Sequence, residues 1–449
     1  MKRTFNYAIL TAILLFCLAG ISSAAAFTGG NLVVCRVGDG SAALGSSATP
    51  VFLDEYTTAG AFVQSVPMPI ADSGANQTLT ASGSATAECF ITRSADRKYL
   101  IITGYDAPVG TATVASSSSA TFPRVMGRID NAGTLDTSTT TTGFVAGGIR
   151  SATSDDGSRF WAVGSVTGVV FQTLGASGLG TTVSSTATNL RTTNIFNGQL
   201  YIASGAGTIR MGTVGSGLPT AAATVSVTLP ANIPTAAPFS FNGFFFADLS
   251  PGVAGVDTLY VADDQSAAAG AVRKYTWDGS TWTATGASPV AIYRGLTANV
   301  GAGSSVTLFA TRGAAGNELV AMTDASGYGG TFAPTPVVIA TAATNTAFRG
   351  VQYAPLSSTA ATAVISGRVT TAGGRGIGNA MLTLSGGGLA EPLRAVTGNF
   401  GYFVFPELPV GQNYVLTVSA KRYRFTDPSR VISLQDNFAG ADFIANSQE

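Results

Sequence analysis

The chain of 449 residues is longer than one ordinary domain and balances 24 Lys+Arg against 24 Asp+Glu, so two or three domains are expected. It contains no histidine, which excludes a Ser-His-Asp triad, a Cys-His dyad, a His-ligated zinc site and a His general base. Lysine occurs only at Lys2, Lys98, Lys274 and Lys421, which leaves no basic face for nucleic acid.

The first residues read as an export signal. Lys2 and Arg3 form a positive start, an apolar stretch runs over 8–21, and Ala24, Ala25 and Ala26 supply a small-residue cleavage site. The apolar stretch is short for a bilayer span, which needs about 20 residues. Cys17 follows the bulky Phe16, unlike the small residue that precedes a lipoprotein cysteine. Beyond residue 26 the chain carries 22 basic and 24 acidic residues, a net charge of −2, so electrostatic steering is not a lead. With 11% charged residues, 45% apolar residues and 55 glycines, the remainder reads as an extracellular all-β protein. Its two cysteines, Cys35 and Cys89, either bridge in an oxidising compartment or stand as buried thiols.

Residues 27–355 show short alternating strands separated by Gly, Asp, Asn and Ser turns. One strand type recurs: Lys98-Tyr-Leu-Ile-Ile-Thr, Arg159-Phe-Trp-Ala-Val-Gly, Gln199-Leu-Tyr-Ile-Ala-Ser, Thr258-Leu-Tyr-Val-Ala-Asp and Val306-Thr-Leu-Phe-Ala-Thr. Aromatic and β-branched residues in that density suit a strand buried on both faces. A hairpin element follows each copy, most clearly at 125–135 and 272–282, and a further strand precedes it, as at 149–157, 190–198 and 293–299. Four strands in about 40–60 residues make a propeller blade, and units fall at 85–146, 147–189, 190–234, 238–292 and 293–345. Phe348-Arg-Gly-Val-Gln-Tyr-Ala-Pro matches a first strand with no successor, while Asn31-Leu-Val-Val-Cys-Arg-Val and 51–65 supply the strands it lacks. The expectation is a six-bladed β-propeller closed by both chain ends, with seven blades if 66–88 or 218–238 hide strands. The spacing resembles secreted six-bladed propellers in general and lacks WD-repeat signatures.

A small polar linker at 356–363 precedes a second β unit at 364–449. It opens on Val364-Ile-Ser-Gly-Arg-Val-Thr and continues through Gly376-Ile-Gly-Asn-Ala, Thr397-Gly-Asn-Phe-Gly-Tyr-Phe, Leu408-Pro-Val-Gly and Ser419-Ala-Lys-Arg-Tyr. These segments resemble the carboxypeptidase regulatory-like domain, with Asn399-Phe400 departing from the usual polar turn. The resemblance implies a small Ig/transthyretin-like β-sandwich with a carbohydrate-binding-like fold that acts as a non-catalytic module.

Three acidic pairs draw attention: Asp54-Glu55, Asp155-Asp156 and Asp263-Asp264. Adjacent strand residues point to opposite faces, which makes neighbours poor catalytic pairs, and Asp155-Asp156-Gly157 reads as a turn. Asp263 and Asp264, after a strand, are the candidate calcium ligands. Arg36, Arg150, Arg191, Arg294 and Arg349 recur near the first or second strand of each unit. They either bond carbonyls of the neighbouring blade or line one end of a channel and meet an anion. The expected function is binding without catalysis, toward an extracellular protein or polysaccharide. Carbohydrate binding through the sandwich, and a carboxylate- or metal-dependent hydrolase or lyase, are the alternatives.

Overall fold

The computed structural model describes residues 25–448 apart from 222–226, 229–232, 234–237, 315, 358–361, 388, 390–391, 411 and 435. The expected export signal lies outside the described residues except for Ala25 and Ala26. The described residues are all-β, in many small antiparallel sheets. No helix among them is long and apolar enough to cross a membrane.

β1 (Leu32–Val37), β2 (Ala48–Tyr56) and β3 (Phe62–Pro67) form an antiparallel meander. The short β4 (Thr80–Ser82) comes next, then β5 (Thr92–Arg93), β6 (Tyr99–Tyr105), β7 (Arg124–Asp130) and β8 (Leu135–Thr141), which pair in sequence. β4 pairs with the start of β2 on one side and the end of β6 on the other, joining these eight strands into one sheet, to which a ninth strand near residue 350 is added. Four separate four-stranded meanders follow. The first is β9 (Ile149–Ser154), β10 (Arg159–Gly164), β11 (Val169–Thr173) and β12 (Thr181–Ser184). The second is β13 (Leu190–Phe196), β14 (Gln199–Ser204), β15 (Met211–Val214) and β16 (Val227–Thr228). The third is β17 (Phe241–Ala247), β18 (Thr258–Asp263), β19 (Ala271–Trp277) and β20 (Trp282–Ala287). The fourth is β21 (Tyr293–Val300), β22 (Val306–Arg312), β23 (Glu318–Asp324) and β24 (Val337–Thr341). β25 (Ala347–Tyr353) then pairs antiparallel with β1, with Leu32 opposite Tyr353 and Val37 opposite Ala347.

Packing links these units in a circle. β5 touches β9, β9 touches β13, β13 touches β17, β17 touches β21, β21 touches β25, and β25 touches β5. Each interval between neighbouring units holds its own apolar core. Cys35, Leu53, Leu100 and Val125 fill the one between the β25/β1–β3 unit and β5–β8. Phe144, Phe160 and Ile101 fill the next, and Trp161, Leu200 and Ile202 the one after. Phe241, Phe246 and Leu259, then Tyr260, Leu308 and Val320, and finally Leu32, Phe309 and Phe348 complete the circle. Both faces of a middle strand such as β18, buried at every residue, therefore need apolar side chains. Glycines set the spacing of the first strands. A Cβ on Gly243 would lie 2.6 Å from the Leu296 nitrogen, one on Gly295 2.5 Å from the Arg349 oxygen, and one on Gly350 2.4 Å from the Ile91 nitrogen.

The C-terminal unit is two facing sheets with a separate core. β26 (Thr362–Thr371) lies between β29 (Tyr402–Pro409) and the parallel β33 (Phe443–Ala445). β27 (Met381–Gly386) pairs with β28 (Leu393–Val396) and with β30 (Gln412–Ser419), which pairs with β32 (Ser429–Leu434). A two-residue ladder joins β31 (Tyr423–Arg424) to β34 (Ser447–Gln448). Ile365, Leu382, Leu384, Phe403, Phe405, Tyr414 and Leu416 meet between the sheets. The alternation of buried and exposed residues along β30 is the period of two that a one-sided strand requires.

Candidate functional site: an arginine-lined mouth at the centre of the circle

The first strand of each unit begins at one end of the circle's axis and finishes at the other. Arg150, Arg191, Asn242 and Arg294 are the second residues of β9, β13, β17 and β21, and Arg349 is the third of β25. The neighbouring register places Cys89 at the corresponding point of the remaining unit: the Gly350 N–H donates to the Cys89 carbonyl at 3.1 Å and the Phe90 N–H to that of Arg150 at 3.0 Å. Toward the other end, Arg93, Asn194, Phe245, Thr297 and Gln352 line a second cavity of about 450 Å³.

Four guanidiniums are thus gathered at one mouth, and their neighbours sort them. The Arg150 guanidinium donates to Asn189 Oδ1 at 2.6 Å and to the Leu190 carbonyl at 3.0 Å, both on the next unit. Arg349 donates to the Gly83 carbonyl at 3.0 Å. Arg294 pairs with Asp264 at 2.9 Å and donates to the Ala314 carbonyl. Arg191 lies against Gly205, where a Cβ would fall 2.4 Å from its Nε, and that buried Nε has no hydrogen-bond partner. Burial, with the neighbouring Arg191 charge adding to it, lowers Arg150 to about 10, and burial with Arg294 lowers Arg349 to about 10. Ser151 Oγ, Thr192 Oγ1 and Asn242 Oδ1, on the same strands, are also buried without partners. Arg36 stands apart. It is on β1, paired with Asp54 and stacked 4.1 Å from the Phe52 ring centre.

Glu88 enters this cationic mouth from the segment before β5. The carboxylate accepts from the Tyr105 hydroxyl at 2.5 Å and from the Ser82 N–H at 3.0 Å. Burial pushes its carboxyl up to about 7, with Tyr105, the Ser82 amide, Arg150 and Arg349 opposing the rise. Glu88, Arg150 and Arg191 line a cavity of about 550 Å³ whose remaining wall is rich in hydroxyls, including Ser82, Thr86 and Ser165. Nothing in the short segment around Glu88 has a periodicity that marks it. Only the fold brings it to the arginines.

The raised Glu88 carboxyl has a measurable consequence. From its ordinary value of 4.5 up to about 7 the folded chain holds a proton that the unfolded chain releases. Its contribution is therefore complete at pH 4 and lost as pH rises through 7, an effect of about 3 kcal/mol. Urea midpoints at pH 5 and pH 8 should differ less in Glu88→Gln than in the parent chain. An identical pH dependence in both would reassign that proton.

The other residues singled out in the sequence have structural partners. Asp263 Oδ2 accepts from Arg273 at 2.9 Å, and its Oδ1 accepts from the Ser240 and Gln265 amides. With Asp264 held by Arg294, the two carboxylates serve different arginines, and no group of three or more Asp, Glu or Cys able to hold a metal forms among the described residues. Asp156 Oδ1 accepts from the Ser158 N–H at 2.8 Å in the turn read from sequence. Glu55 is fully buried and accepts from Asn31 and Gln64. Cys35 and Cys89 are joined in a disulfide with Cα atoms 6.3 Å apart, tying β1 to the segment that leads into β5.

Residues 364–442 match the carboxypeptidase regulatory-like domain, and the C-terminal unit is such a domain. No curated protein matches the chain. Among solved structures, the chain is similar to a candidate 6-phosphogluconolactonase from Bacteroides uniformis ATCC 8492, with 11% identity over 72% of this chain and 99% of that one and a TM-score of 0.37. It is also similar to the extracellular domain of a candidate hybrid two component system from B. thetaiotaomicron. There the identity is 9%, over 93% of this chain and 57% of that one, with a TM-score of 0.38.

Proposed function

We propose that the chain is an exported, non-enzymatic binding protein: a six-bladed β-propeller whose last blade combines both chain ends, followed by the C-terminal sandwich. The circle of touching first strands, each interval with its own core, supports the propeller reading. The observation that carries the binding reading is the arginine-lined mouth. Two guanidiniums, Arg150 and Arg191, line a hydroxyl-rich cavity there, with Arg294 and Arg349 on the neighbouring first strands, and convergent polar groups around a cavity are the arrangement of a recognition site. The acidic pairs singled out in the sequence are used in ion pairs, turns and buried hydrogen bonds.

The C-terminal sandwich supports a second reading, carbohydrate contact. Phe400 and Tyr402 are 74% and 62% exposed, and Arg368 stacks 5.1 Å from the Tyr402 ring centre. Flat exposed aromatic faces are what sugar rings stack on. One screen tests both readings. Esters, lactones and glycosides, with and without calcium, should not turn over, whereas a panel of saccharides and small anions should yield binders. Turnover abolished by Asp263→Asn or Asp264→Asn would move the protein to the enzyme class, and binding lost with Tyr402→Ala would place the contact on the sandwich.

A further inference from the structure

The mouth has a chemical bias that narrows what it binds. Arg150 has already given hydrogen bonds to the neighbouring unit, and Arg294 is neutralised by Asp264. The buried Arg191 Nε has no partner. That nitrogen is packed against Gly205, while the same side chain lines the cavity, and an anionic oxygen is the acceptor that best satisfies a guanidinium short of partners. Arg150 and Arg191 come from adjacent strands and line the same cavity. The rest of its wall presents Ser46, Ser82, Ser84, Thr86 and Ser165, with Glu88 among them. A bare inorganic anion would leave most of those hydroxyls facing empty space in about 550 Å³. An apolar ligand would offer none of them a hydrogen bond.

We infer that this cavity receives a small hydroxylated organic anion, its carboxylate or phosphoryl oxygens held by Arg150 and Arg191 and its hydroxyls bonded to the serines, threonines and Glu88. The inference rests on the reading of this mouth as the binding end. Glu88 makes the site self-regulating. The Tyr105 hydroxyl donates to its carboxylate, Arg150 and Arg349 act on it through their charge, and Arg124 stacks 5.0 Å from the Tyr105 ring centre. When ionised, Glu88 repels an incoming anion and offsets part of the arginine charge. When protonated, it does neither and can donate to a ligand oxygen.

Isothermal titration of the purified chain with glucuronate, glucose 1-phosphate and glucose tests this. At least one of the two anions should bind at least about ten-fold more tightly than glucose, as a charge-assisted hydrogen bond implies. The tighter of the two identifies the acid group. Affinity for it should fall several-fold between pH 6 and pH 8, and Glu88→Gln should flatten that dependence. Arg191→Gln should weaken anion binding about ten-fold or more while leaving the melting temperature near that of the parent. If Arg191→Gln folds poorly, Glu88→Gln alone decides, because it leaves every arginine in place. Glucose binding as tightly as the anions, or anion binding indifferent to both substitutions, overturns the anion inference while a binding role stands. Failure of all three probes overturns it too, and the binding reading then falls only if the wider panel of saccharides and anions also yields nothing.

Discussion

Replacing Lys274 by methionine is expected to cost about 3–5 kcal/mol, because removal of one partner leaves a buried charge uncompensated. Lys274 and Asp324 are 0% and 2% exposed and 2.8 Å apart. The Lys274 ammonium also donates to the Ser326 hydroxyl and to the Gly327 and Gly330 carbonyls. Asp324 accepts from the Tyr260 hydroxyl at 2.6 Å. Burial works against the charged carboxylate, yet Lys274, Ser326 and Tyr260 together hold Asp324 below its ordinary value. The pair joins β19 of one unit to the end of β23 of the next, so its loss falls on the interval filled by Tyr260, Val272 and Val320. Urea unfolding followed by tryptophan fluorescence measures the loss. Changing both residues to apolar ones of similar volume should recover most of it, and a single substitution costing under about 1 kcal/mol would show that the charge relaxes to water.

Removing the Cys35–Cys89 bridge should cost about 4 kcal/mol, the chain-entropy value for a closed loop of this length. The sequence separation is 54 residues. The double serine variant keeps the β1–β25 pairing and the surrounding core of Leu53, Leu100 and Val125. Its loss therefore reports the crosslink rather than a repacked interior. Comparison of melting with and without reductant checks it: the parent should fall to the level of the variant, and the variant should not respond. A parent chain insensitive to reductant under conditions that expose both sulfurs would contradict the estimate.

How far the sequence could be read depended on whether a feature was local. The first-strand pattern at 348–354 and its missing companions at 31–37 could be matched because both are short, contiguous and repeated elsewhere. β5 could not. It is only two residues long, and β4 bridges two units instead of belonging to one, so the first strand of the unit read at 85–146 has no pattern of its own. The arginines at 150, 191, 294 and 349 stood out because each follows an apolar residue at the start of a unit. Arg36 has the same look on a second strand, where its pairing with Asp54 is structural. Glu88 carried no signal, and Cys89 takes the arginine position through a left-handed backbone with φ 60°, which sequence does not announce. The link between Asp264 and Arg294 joins neighbouring units 30 residues apart and leaves no trace in local spacing.

The pairing of β1 with β25 also fixes an order of events. A chain that emerges from its N-terminus makes β1 among the first strands and its partner more than three hundred residues later, since Leu32 faces Tyr353. Until then β1 has an open edge, and such distant pairing is slow to find. The four meanders from β9 to β24 pair only with their own strands and form as they appear. The Cys35–Cys89 bridge lies wholly within the early portion. Once oxidised, it parks β1 beside the segment that β25 must also reach, and converts a search by a free end into the docking of a last strand onto a waiting seat.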